Sequence, residues 1–369
     1  MKVALCLYKY FPYGGLQRDF LRIANEIIAR GHEVRVYVQS WQGEKPQNME
    51  IIQVPVRALS NHRKAQKFHA WVMEHLHKNP VDRLVGFNKM PDLDVYYGAD
   101  ICYEEKAQTE KGFFYRLTPR YHHLHNFEAQ TVGRGLKTKL MIITPKQKVE
   151  FQKHYQTEDE RFYLLPPGIA KDRKYTNFSD AKRLAIREQL QLKPEDFLVI
   201  QIGSDFKRKG LDRSIATLSS LPQEVRSHTH LYVLGQDKSQ AYEQQARQSG
   251  VSSQVHILGG RDDVADFIAA ADLFVHPARS ENTGTVILEA MVGGVPQIVT
   301  DVCGYAHYVW EADSGLVLDS PFSQEQFNEF MLQALNKQLL SRWRGNACRF
   351  ADTEDLYSLP QKAADIILE

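Results

Sequence analysis

One pattern constrains this chain more than any other: a short apolar run, a glycine-bearing loop and a helical segment follow one another, repeat, and begin afresh past residue 168. Residues 2–7 form the first apolar run, and the loop after it closes on Gly14-Gly15. Leu16, Phe20, Ile23, Ala24 and Ile27 then recur at helical spacing up to Gly31. Residues 32–38 read as the next strand, which completes a βαβ unit. Further strands are expected at 51–54, 83–87, 95–98, 140–144 and 162–165, with helices over 65–77 and 145–155. Pro166-Pro167-Gly168 is the clearest stiff hinge. Beyond it come a helix at 181–191 and strands at 197–202, 230–234, 255–258, 273–276 and 295–299, separated by helical segments. Apolar strands alternating with helices make parallel sheets covered on both faces. The expected fold class is α/β, with two doubly wound, Rossmann-like domains facing across a cleft.

A chain of 369 residues is too long for one ordinary core, which agrees with a division into residues 1–166 and 167–351. Ser358 as N-cap and Pro360 near the first helical position predict a last helix running to Leu368. A hydrophobic fraction of 43% and a charged fraction of 25% are those of a globular protein. A net charge of +1 excludes global attraction to nucleic acid, so any polyanion must be held by local patches. Cys6, Cys102, Cys303 and Cys348 show neither CxxC nor zinc spacing, which argues for a reducing compartment and no metal site. The apolar run 3–7 is too short for a signal-peptide core or a membrane span, so a cytoplasmic location is expected.

Doubly wound sheets bind ligands outside the carboxyl ends of their strands. The most telling stretch there is Glu281-Asn282-Thr283-Gly284-Thr285-Val286-Ile287-Leu288-Glu289-Ala290. Its small-residue turn has helix-capping chemistry, and the apolar residues that follow form a first buried turn. Unpaired amides and the helix dipole at such a start favour a phosphate. Glu289 lies five residues past Gly284, about 7.5 Å along the axis, so the two carboxylates can flank a diphosphate and accept hydroxyls from a sugar and a ribose. The alternative is a solvated loop residue and a surface helix residue.

Other strand ends supply cations. Gly203-Ser204-Asp205-Phe206-Lys207-Arg208-Lys209-Gly210 carries three in a row, a phosphate clamp or an ordinary solvated loop. Arg173, just past the hinge, adds another cation at the cleft or is plain surface. Gly259-Gly260-Arg261 offers backbone amides and a guanidinium to a flat base, or a structural arginine. In the first domain, Gly14-Gly15 lacks the full G-x-G-x-x-G spacing, which disfavours a dinucleotide. Asp19, beside Arg18 in the following helix, and Asp100, past the strand 95–98, are candidates to orient or deprotonate an acceptor hydroxyl, with helix capping as the rival reading for both. Residues 103–132 interleave aromatic and basic residues, above all Lys111, Phe113, Phe114, Arg116 and Arg120, and no acid occurs between Lys111 and His125. Such a segment reads as an anchor for an anionic membrane surface; nucleic-acid stacking uses similar residues but has no recognised module here.

Glu281 and Glu289, in E-x7-E spacing, with Gly14-Gly15 and Arg208-Lys209, resemble the retaining GT-B glycosyltransferases of family 4. The blocks 7–12, 86–91, 165–169 and 302–308 extend the resemblance over the whole chain, to the lipopolysaccharide core heptose glucosyltransferases. The resemblance implies a GT-B fold whose C-terminal helix, about 352–369, crosses back to the first domain. It implies a UDP-sugar held mainly by the second domain, an inner-core heptose of lipopolysaccharide as acceptor, and no cofactor or metal. Carried onto matching positions, Glu281 holds the donor hexose with Asn282, Thr283, Gly284 and Thr285 beside it, and Glu289 the ribose. Arg208, Lys209 and Gly15 meet the diphosphate, and Arg261 lies at the uracil. A front-side route is implied, in which the leaving phosphate helps to deprotonate the acceptor. Residues 103–132 coincide with the family's membrane-associating segment, which implies a place on the cytoplasmic face of the bacterial inner membrane. Asn282, Thr283 and Thr285 are bulkier and more polar than in some relatives, so an N-acetylhexosamine or galactose-series donor stands beside UDP-glucose. A UDP-sugar epimerase of the same fold and a non-catalytic nucleotide-sugar or membrane binding protein are the alternatives.

Overall fold

The computed structural model describes residues 1–12 and 14–369. The chain forms two compact units, Met1–Gly168 with Ser358–Glu369, and Ile169–Tyr357. The divisions therefore fall after 168 and 357 instead of after 166 and 351, and local hydrogen bonds explain the difference. The Ile169 amide donates to the Leu356 carbonyl at 2.9 Å, and both side chains are buried in the second unit's core. The Leu359 amide turns back to the Pro167 carbonyl at 3.3 Å, which ties the last helix, Leu359–Leu368, to the first unit.

The first unit is built on seven parallel strands: β1 (Lys2–Tyr10), β2 (Glu33–Trp41), β3 (Glu50–Gln53), β4 (Arg83–Gly86), β5 (Val95–Gly98), β6 (Lys139–Ile142) and β7 (Phe162–Leu164). Their order is β3-β2-β1-β4-β5-β6-β7. Side chains alternate along β1, so Val3, Leu5 and Leu7 enter one core while Ala4 and Cys6 enter the other. The first core is closed by Phe20, Ile23, Ala24 and Ile27 of the helix Gly15–Ala29 and by Leu359, Ala363, Ala364 and Ile367 of the last helix. The second is closed by Phe68 and Val72 of the helix Asn61–Lys78 and by Phe127 of the helix Pro119–Val132.

Chain order reverses between β1 and β4. Their ladder ends at the pair Cys6 and Gly86, whereas β1 stays paired with β2 through Tyr10 and Trp41. Past the parting point the Tyr8 amide donates to Asn88 Oδ1 at 2.8 Å. This is the switch point at which doubly wound sheets open a ligand crevice.

The second unit has β8 (Phe197–Ile202), β9 (Thr229–Leu234), β10 (Val255–Ile257), β11 (Leu273–His276), β12 (Gln297–Thr300) and β13 (Gly315–Leu318) in the order β10-β9-β8-β11-β12-β13, again all parallel. Its switch point lies between β8 and β11. The strand β13 is absent from the expected set. It is a four-residue edge strand opening on Gly315, where a Cβ would lie 1.9 Å from the Gln297 carbonyl, and in the sequence Asp-Ser-Gly it looks like a turn.

Candidate active site

In the second unit the loops after β8 and β11 meet. Past β8, Asp205 accepts from the Arg208 amide and starts a single helical turn, Phe206–Lys209. Gly210 ends it with φ of 73°, and a Cβ there would strike the Pro277 carbonyl at 2.1 Å, so only glycine lets this turn lie against the β11 loop. The turn delivers Arg208 Nη1 to Glu281 Oε2 at 2.9 Å and to the Ser280 carbonyl at 3.1 Å, while Lys209 Nζ donates to the same carboxylate oxygen. Lys209 is 8% exposed. Burial alone would push the Glu281 carboxyl up, but His276, Lys209 and Arg208 outweigh it and hold the group far below the ordinary carboxylate range. Glu281 is therefore an anion at neutral pH, seated between two cations.

His276, the last residue of β11, is fully buried behind this pair. Its Nε2 stands 3.7 Å from Glu281, beyond hydrogen-bond length, and neither ring nitrogen has a hydrogen-bond partner among the described residues. Burial lowers its pKa, so the ring is neutral. The sequence reading missed His276. Its one signal was a lone histidine closing an apolar strand two residues before the 278–281 loop.

The helix that follows, Thr285–Val292, starts from Gly284 in the left-handed region, φ 79° and ψ 52°, where a Cβ would also crowd Ile287 Cδ1 at 2.9 Å. Thr283 and Thr285 hydroxyls lie 3.5 Å apart across its start, and the Thr283 carbonyl accepts from the Tyr305 amide at 2.8 Å. Glu289 is 6% exposed, so it is no surface residue. A carboxylate, two cations and a helix start thus share one corner, the arrangement that holds a diphosphate next to hydroxyls.

In the first unit neither candidate aspartate caps a helix. The Tyr97 hydroxyl donates to Asp19 Oδ2 at 2.7 Å, which ties the helix Gly15–Ala29 to the end of β5. The helix Tyr103–Glu110 is capped from a distance instead: Glu128, fully buried, accepts from the Tyr103 amide at 2.7 Å and the Glu104 amide at 2.9 Å. Asp100 is left exposed, and its carboxylate makes no hydrogen bond among the described residues. Its carbonyl is held by Gln147 at 2.9 Å. Gly15 is exposed at the start of its helix.

The chain is 55% identical over 368 residues to the lipopolysaccharide glucosyltransferase WaaG of Escherichia coli K12, covering 100% of this chain and 98% of that one. The crystal structure of WaaG superposes with a TM-score of 0.93 over 99% of both chains. Residues 182–349 match the family described as glycosyl transferases group 1. The chain belongs to the group 1 glycosyltransferases. It is a hexosyltransferase with the GT-B fold. At 19% identity, the Anabaena protein HepE, crystallised with UDP-glucose, shares that fold at a TM-score of 0.73 over 99% of this chain and 98% of its own.

Two expected site residues, Arg261 and Arg116, are engaged by acidic neighbours that the sequence reading did not assign them. The Nε–Nη2 edge of the Arg261 guanidinium is engaged by Asp263, at 2.6 Å and 2.6 Å, and its face lies over Phe267. That pairing leaves the backbone of Gly259 and Gly260 and the Nη1 side of Arg261 facing outward from the loop. Arg173 sits in the short turn Lys171–Arg173, with Nη1 buried and without a hydrogen-bond partner among the described residues. Arg116 points inward, donating to Glu104 at 2.9 Å, because that buried carboxylate also collects Tyr121, His125 and Gln108 and needs a positive charge beside it. Phe113, Phe114 and Leu117 are 73%, 81% and 65% exposed, and Lys111 and Arg120 are exposed beside them. Among the described residues, no helix is long and apolar enough to cross a membrane, and no three His, Cys, Asp or Glu side chains are grouped to hold a metal ion.

Proposed function

We propose that the enzyme transfers a hexose from a UDP-sugar, UDP-glucose or an N-acetylhexosamine donor, to an inner-core heptose of lipopolysaccharide, with retention at the anomeric carbon and without a metal. The observation that carries this reading is the convergence of Arg208 and Lys209 on Glu281 at the start of the helix Thr285–Val292. Without ligand the Glu281 carboxylate pairs with Lys209 and with Arg208, whose Nε is also held by Asp205 at 3.0 Å. A donor diphosphate takes that place, with the helix amides as further donors, and Glu281 turns its oxygens to the hexose hydroxyls. In the transfer, the acceptor oxygen bonds to the anomeric carbon as the bond to the diphosphate oxygen breaks, and the acceptor proton passes to the departing phosphate. Arg208 and Lys209 stabilise the charge that develops there, which is an electrostatic task. Neutral His276 packs behind Glu281 at 3.7 Å and leaves the carboxylate's hydrogen bonds to Arg208 and Lys209. Glu289 faces the ribose, and Asp19 and Asp100 face the acceptor.

The near-identity in length and the level of identity to a protein named lipopolysaccharide glucosyltransferase support the acceptor class. The exposed Phe113, Phe114 and Leu117 with Lys111 and Arg120 suit docking of the enzyme on an anionic leaflet, on the cytoplasmic side of the inner membrane where its lipid-borne acceptor is built. Mass spectrometry of products formed from a heptose-terminated core acceptor and a panel of UDP-sugars decides the donor. If no UDP-sugar yields a product one hexose heavier, the proposal is wrong.

A further inference from the structure

The residues 103–132 do more than face outward. At the switch point of the first unit a hollow of about 250 Å³ opens past the ends of β1, β4 and β5. Asn88 and Tyr8 line it, and the same two residues line a second hollow of about 250 Å³ on the side of the helix Gly15–Ala29, so one hydrogen-bonded pair stands between two depressions. The first hollow is walled by Tyr103, His123 and Phe127 from the aromatic segment, with Asp100 at its rim.

His123 is the unexplained group. It is 6% exposed, tilted at 52° against Phe127 at a ring separation of 4.1 Å, and its Nε2 has no hydrogen-bond partner among the described residues. Burial, with His62 nearby, lowers its pKa, so the ring is neutral. A buried, unmatched ring nitrogen disfavours the folded state unless something enters to pair with it. A hydroxyl matches it in either tautomer, since a hydroxyl both donates and accepts. Charge points the same way. Lys89 at the floor is already neutralised by Glu128, and Lys106 and Asp100 at the edge are opposite in sign, so the hollow favours an uncharged polyol over a phosphate.

We propose that this hollow seats the acceptor's sugar ring, with His123 Nε2 bonded to one of its hydroxyls and the rings of Tyr103 and Phe127 against its apolar face. His123 is then a specificity-determining residue for the acceptor. The inference rests on the acceptor reading above and extends it: the helix Pro119–Val132 presents His123 and Phe127 to the sugar, and the turn leading into it presents Phe113, Phe114 and Leu117 to the lipid side. One segment thus reads the sugar and its membrane setting together.

The test compares wild type with His123→Phe, which keeps the packing on Phe127, and His123→Gln, which restores a hydrogen-bonding group. With a heptose-terminated core oligosaccharide, H123F is expected to raise the acceptor KM about tenfold, the worth of one buried hydrogen bond, and H123Q to recover part of it. Donor KM, donor hydrolysis without acceptor, and vesicle binding stay at wild-type values. Wild-type acceptor KM in H123F overturns the inference. If wild type makes no product with this acceptor, the acceptor reading fails separately. The hollow is then judged by the imidazole ¹⁵N resonances of His123 on titration of free heptose into the full chain, where a shift supports a sugar seat and no shift overturns it.

Discussion

At the scale of single residues, the corner proposed for the donor is a balance of charges inside one unit. Lys209 is buried and its positive charge is tolerable only beside Glu281; remove Glu281 and the Lys209 charge is left uncompensated, whereas Glu281 keeps Arg208 when Lys209 is removed. Lys209→Ala is therefore expected to weaken UDP binding by about 10–100-fold, since charge-assisted hydrogen bonds contribute about 1.5–3 kcal/mol each. Isothermal titration calorimetry measures it. Glu281→Gln separates the two duties of the carboxylate. It frees Lys209 and the Nη1 side of Arg208, whose Nε stays with Asp205, so UDP should bind more tightly than to wild type, while transfer falls about 10²–10³-fold for want of an anion to grip the hexose. Weaker UDP binding in E281Q would show that the Glu281 carboxylate does not compete with the diphosphate.

At the scale of elements, the aromatic segment is held from behind by buried carboxylates. Glu128 accepts from two amides of the helix Tyr103–Glu110, from Lys89 and from the Tyr155 hydroxyl at 2.6 Å. Burial pushes its carboxyl up, but Lys89 and the hydrogen bonds hold it below the usual 4.5. A depressed folded-state pKa means that this contribution is present above pH 4.5 and is lost as pH falls. Lys89→Met reverses the sign. Burial then dominates, the carboxyl rises above its unfolded value, and stability falls as pH rises through neutrality. Urea unfolding of K89M at pH 5 and pH 8 should show the lower stability at pH 8, on top of a loss of about 3–5 kcal/mol from breaking the pair. On the outer side, replacing Phe113, Phe114 and Leu117 together by serine removes the exposed apolar wedge. Sedimentation with vesicles containing anionic lipid should then lose the protein to the supernatant, with donor hydrolysis unchanged.

At the scale of the whole molecule, the last helix completes a core begun more than 300 residues earlier. Ile367, fully buried against Phe20, Ile23 and Ile27, gives that docking its apolar content, and Arg30 pairs with Asp365 at 2.7 Å at the rim. Ile367→Ala should lower stability by about 2–5 kcal/mol. Because the loss falls on one unit, calorimetry should show one transition moved to lower temperature and the other in place.

The order of strands and helices was legible in the sequence because each apolar run and each helical period is a local signal. So were the segments that carry Glu281, Arg208, Lys209 and Gly284, since their composition marks them; that Arg208 and Lys209 both meet Glu281 is seen only in the structure. The short strand Gly315–Leu318 escaped because four residues opening on glycine are an edge strand only when a neighbour supplies the other half of the ladder. Partnership was equally out of reach. That Asp263, two residues on, turns to hold Arg261 is a choice of rotamer; that Glu104 draws Arg116 inward, that Glu128 and not Asp100 caps a helix, and that His276 and His123 are buried with unmatched nitrogens are facts of tertiary packing. Local sequence determines what each segment can form and which groups it carries. Which of those groups remain available to a substrate is decided only when folding assigns every buried charge and polar atom a neighbour, or leaves it without one.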